Sequence, residues 1–176
     1  MENRSWIVKI ILTSVTVSVV FTIVSDRVIG EAGYAAAFIA LTVFVMLGIV
    51  FDIIGVAVTS ASEAPFHSMA ARRERGAVEA IRLIKSAGKV SSVCNDIVGD
   101  ISGIVSGTTA ALIAARLASS FTASDLVMQV VISAAVTGVT IGGKAAGKLL
   151  AMSRTTEIML RVGRVLSYLP KKSKER

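Results

Sequence analysis

An all-helical, multi-pass membrane fold is what this 176-residue sequence predicts, on three observations. Hydrophobic residues make up 53% of the chain and charged ones only 18%, with a mean hydropathy of +0.73. A soluble domain carries about 25% charged residues, so this chain lacks the polar skin of a soluble globular enzyme and is far too apolar for disorder. Second, long runs carry no charge at all. Third, the basic residues, which give a net charge of +7, cluster between and after those runs.

The charge-free runs place four spans. Residues 10–25 form the core of the first, read as 6–25. Residues 32–51 are uncharged, and 53–62 continue the run after Asp52, giving a second span over 35–59. The third, 93–116, follows Asn95, Asp96 and Asp100 into an uncharged stretch, and the fourth covers 125–147. Each approaches the roughly 20 apolar residues that a spanning helix requires. Their Val, Ile and Thr content would suit strands in water, but an open sheet cannot satisfy its backbone in lipid, and a helix can. Met1–Lys9 and the run after it also allow a cleaved signal peptide; the length of that run favours a retained span.

With the N-terminus inside, 17 of the 19 Lys and Arg residues fall on the cytoplasmic side, and only Arg27 and Arg116 fall outside. This is a positive-inside bias. It places both termini in the cytoplasm of a plasma or inner membrane, and it accounts for the charge without nucleic acid. Trp6, Tyr34 and Tyr168 fit the aromatic belts at the predicted boundaries. The loop 60–92 is charged, with a helix expected over 70–86. Ile158, Met159, Val162, Val165, Leu166 and Leu169 repeat at helical spacing, with Arg154, Arg161 and Arg164 off that face and Pro170 ending the pattern. A basic amphipathic helix over 152–169 follows, lying on the inner membrane surface, packing against the 64–92 loop, or both.

Ionisable groups within spans are costly and mark function. Asp52, Thr59 and Glu63 share one face of the second span. In the third, Asp96 and Asp100 are spaced i, i+4 and are expected to point toward a partner helix. The Gly99, Gly103 and Gly107 row there, and Gly138 with Gly142 in the fourth span, permit close helix approach. They serve a dimer or packing within one subunit. Carboxylates with Ser, Thr and Asn oxygens suit a hard cation such as Mg²⁺; the alternative is interhelical hydrogen bonding with nothing bound. His67 and Cys94 are single residues, which excludes an intrachain disulfide and a zinc quartet. No nucleophile–base pair or phosphate loop is present, so an enzyme is not expected.

Particular residues then resemble a family. Ser60-Ala-Ser-Glu63-Ala-Pro-Phe-His-Ser68-Met is similar to the S-A-x-E-x-A-x-x-S-L signature of the CNNM/CorC (CorB) magnesium-transporter membrane domain. Cys94-Asn95-Asp96-Ile-Val-Gly99-Asp100 stands where that family has G-N-N-x-x-N. Gly143-Lys144-Ala-Ala-Gly147-Lys148 stands where it has G-E-x-x-P-K. The resemblance covers about residues 45–169. It implies a homodimeric Mg²⁺-handling domain, with Ser60, Glu63, Asn95 and the backbone near Gly142 and Gly143 at the ion site. Lys144 replaces the family's Glu and Asp96 its second Asn, and no stretch corresponds to the CBS pair. Asp96 and Asp100 are added acids that can compensate. Two functions follow: a divalent-cation transporter, or a non-transporting structural or regulatory relative whose ion site Lys144 closes by pairing with Glu63 and Asp96 at the inner ends of their helices.

Overall fold

The long apolar runs become helices that enclose a three-helix centre. The computed structural model describes residues 2–31, 34–120 and 125–168. All regular structure among the described residues is helical. In chain order the helices are α1 (Glu2–Glu31), α2 (Tyr34–Ser60), α3 (Ala64–Ala71), α4 (Ala77–Lys85) and α5 (Ala87–Ser92). A π-helical segment (Val93–Gly99) follows, then α6 (Asp100–Ser120), α7 (Asp125–Ser153) and α8 (Thr155–Ser167). Four stretches are long and apolar enough to cross a membrane: Ser5–Val24, Tyr34–Ser60, Ala87–Leu117 and Gln129–Ser153. At 1.5 Å per residue, each reaches about 30 Å or more, the thickness of a hydrocarbon core.

Helices α2, α6 and α7 pack on one another. Ala37, Leu41, Val45, Ala110 and Ile113 form their common core, with Ile132 and Val136 against it. Gly143 and Gly147 let α7 approach α2, because a Cβ at either would strike Ile49 or Ile53. Helix α1 lies outside, touching the body through Ile10, Val17 and Phe21, which pack on Phe44, Ile97, Ile101 and Val105. The Phe21 and Phe44 rings are 5.5 Å apart. The rest of its apolar surface, including Leu12, Val15 and Ile23, is exposed, as lipid-facing residues are.

At one end, α3, α4 and α8 form a cap around Phe66, Ala80 and Met159, closed against Val58 and Ala151. The single helix expected over 70–86 is instead two. Between α3 and α4 the chain turns, with Arg73 at φ 58° and Gly76 at φ 88°. The break serves a crossing with α8. A Cβ on Gly163 would strike the Gly76 carbonyl oxygen, and one on Gly76 would strike the Arg164 backbone. Arg164 Nη2 donates to Glu74 Oε1 at 3.2 Å across the same joint.

Helix α8 starts at Thr155, within the predicted 152–169. Its apolar residues divide: Met159 is buried and Ile158 packs beside it, whereas Val165 is 68% exposed. Leu169 and Pro170 lie outside the described residues.

Candidate functional site: a polar seam between α2, the π segment and α7

Gly48, Asp52 and Gly55 recur one turn apart on α2. Opposite them stand Asn95, Gly99 and Ser102. Two glycines bring the backbones together. The Cβ position of Gly48 is 3.3 Å from Ser102 Cβ and 3.6 Å from the Gly99 carbonyl oxygen, and that of Gly55 overlaps the Asn95 amide. Asp52 is the carboxylate held between these two close approaches.

Lys144 reaches in from α7. Its Nζ is 4.0 Å from Asp52 Oδ1, with the two side chains 25% and 20% exposed. The ammonium lies over Gly99, 3.7 Å from where a Cβ would stand. The π turn makes that bed: it widens the helix by one residue per turn, and the Gly99 Cβ position lies 3.3 Å from the Cys94 carbonyl oxygen. A side chain extending beyond Cβ there would run into the lysine.

Two oxygens beside this pair lack donors. Among the described residues, Asn95 Oδ1 and Ser102 Oγ are the buried side-chain polar atoms with no hydrogen-bond partner. Asn95 Nδ2 donates to Ser91 Oγ at 3.2 Å, which turns Oδ1 toward α2. Ser102 is 1% exposed. Leaving such a group unsatisfied costs about 1–3 kcal/mol. Both lie within one turn of Gly99, on either side of it.

The other residues expected at an ion site are elsewhere. Glu63 begins α3, and its Oε2 is 3.3 Å from His67 Nε2. Ser60 is exposed at the end of α2. Asp96 and Asp100 are also exposed, and within the chain they do not point at a partner helix. Two faces of their helix are already taken: Ile97, Ile101 and Val105 face α1, and Asn95, Gly99 and Ser102 face α2. The acids fall on the third. No group of three or more His, Cys, Asp or Glu side chains is placed to hold a metal among the described residues.

Lys144 pairs with Asp52, not with Glu63 or Asp96. Helix α7 runs on to Ser153, about two and a half turns past Lys144, so the lysine lies well inside the helix. Ser102 was not expected at the site; its spacing of three from Gly99 and seven from Asn95 is the signal that places it there.

No family model, curated protein or solved structure matches the chain. One carboxylate faces the lysine ammonium, and one amide oxygen and one hydroxyl without donors lie a turn to either side of Gly99 along the same seam. If the ammonium withdrew, those three oxygens would suit a hard cation that keeps several of its waters, as Mg²⁺ does.

Proposed function

We propose that this chain is a multi-pass inner-membrane protein that handles a divalent cation, Mg²⁺ by preference, with Lys144 as a tethered cation in its ion position. The observation that carries the reading is the Lys144 ammonium at 4.0 Å from Asp52, beside two buried oxygens without donors. The segregation of 17 of 19 basic residues supports a cytoplasmic location for both termini and the α3–α4–α8 cap. The resemblance to the CNNM/CorC membrane domain supports Mg²⁺ and a homodimer. In this reading transport requires the ammonium to leave Asp52 and a cation to take its place.

The ion pair itself favours a second reading, in which Lys144 never leaves and the protein is a structural or regulatory relative. Mg²⁺ uptake into proteoliposomes, followed with a fluorescent reporter, separates the two. Uptake by the wild type that Asp52→Asn abolishes supports transport. No uptake by the wild type, with Mg²⁺-dependent stabilisation gained in Lys144→Glu, supports the closed site. Absence of both results refutes a cation site here.

A further inference from the structure

We infer that the groove between α6 and α7 is a water-filled vestibule connecting the Lys144–Asp52 pair to the outer aqueous phase. The inference rests on the membrane topology proposed above. A cavity of about 140 Å³ lies in this groove, lined by Gly103, Ser106, Gly107, Thr137 and Thr140 among others. Gly103 and Gly107 keep it open: no heavy atom comes within 4 Å of where their Cβ atoms would stand. Val136 and Ile141 complete the lining; of its three hydroxyls, Ser106 donates to the Gly103 carbonyl oxygen and Thr140 to that of Val136, and each keeps a lone pair that can accept from water.

The cavity leads to the pair by register. Thr140, which lines the cavity, is one turn from Lys144 on α7. Asp96 and Asp100 occupy the inward continuation of the face that carries Gly103 and Gly107, and both are exposed. Asp100 lies about 10 Å into the predicted span. A carboxylate at that depth faces water or a protein partner, not lipid. A wet groove meets that need, and its carboxylates favour cations as occupants.

Cysteine accessibility in a Cys94→Ser background tests this. Thr137→Cys and Thr140→Cys line the groove. Val139→Cys is the apolar control, since Val139 lines the cleft between α2 and α7, whose walls are apolar except for Thr42. Ala115→Cys marks the outer end. Thr137→Cys and Thr140→Cys should react with impermeant methanethiosulfonates from the outside, and Val139→Cys should not. A unit charge about 10 Å away, at a dielectric between those of protein and water, changes the local concentration of an ion by about fivefold. Lys144→Met should therefore raise the ratio of cationic to anionic reagent rates at Thr140→Cys by about 25-fold, fivefold from each reagent, and Asp52→Asn should lower it by a similar factor. These opposite shifts separate a charge effect from a general loosening of the fold. The vestibule is refuted if both groove cysteines stay unmodified while Ala115→Cys reacts from outside, the result a dry groove or a covering second copy would give. Equal reaction at Val139→Cys, or a ratio that neither charge variant moves, refutes it too. Reaction of Ala115→Cys from the inside alone would refute the topology instead, and the groove would then be judged from that side.

Discussion

Replacing Lys144 by methionine removes the ammonium while keeping most of the volume of its stem. Asp52 is then left with no cation within 4 Å. At 4.0 Å a unit charge pair is worth about 4 kcal/mol at an effective dielectric of 20. Desolvation of both groups offsets much of that in the intact pair. Losing a single partner of a buried pair costs about 3–5 kcal/mol, and here the residual 20–25% exposure of the side chains reduces it to about 2–4 kcal/mol. For a chain of this length that corresponds to a fall in Tm of roughly 5–15 °C. Asp52→Asn should cost a similar amount, and the double variant should recover most of the loss, because no charge is then left unpaired. The measurement is thermal unfolding in detergent for all four proteins, repeated across a Mg²⁺ titration. Lys144→Met should gain stability with Mg²⁺, since the freed carboxylate and the Asn95 and Ser102 oxygens can then take a cation. Additive losses in the double variant would show that the two residues do not interact. Strong stabilisation of the wild type by millimolar Mg²⁺ would show that the ammonium does not hold the cation position.

Two further outcomes are expected. Cysteines placed at Val28 and Ser120 should be labelled from outside and one at Lys174 from inside; outside access at Lys174 would reject the topology. Gly163→Ala sets a methyl against the Gly76 carbonyl oxygen, which is backbone and yields little, so α8 should separate from α4. A loss of about 1–3 kcal/mol is expected, together with faster proteolysis near Arg164, and an unchanged cleavage pattern would contradict the crossing described for the cap.

The long helices were legible because charge is expensive in lipid, so charge-free runs mark spans directly. The same rule ends the fourth span at 147, whereas the apolar helix continues to Ser153. It reads Lys144 and Lys148 as a boundary, but Lys144 has a partner in Asp52, and a paired lysine can sit inside a helix. That pairing joins residues 92 positions apart through a backbone register no local pattern shows. The glycine row divides for a different reason. Gly99, Gly103 and Gly107 read as one face on an ideal helix, but the π turn over Val93–Gly99 shifts the register between the first and the other two. Gly99 is packed, and Gly103 and Gly107 are open. The break between α3 and α4 was hidden because its cause, the glycine of α8, lies 87 residues away.

The π turn is also a stored register shift. Seven residues, Val93–Gly99, follow the wider geometry, and drawing them into ordinary α geometry takes up one residue. That change rotates the helix before the turn by about 100° against the helix after it, with an axial movement of only about 1.5 Å. Asn95 would swing off Gly55 while Ser102 stayed on Gly48, dividing the two donor-less oxygens between different faces. The polar seam would thus be taken apart by a twist within one helix, with no helix having to leave the bundle.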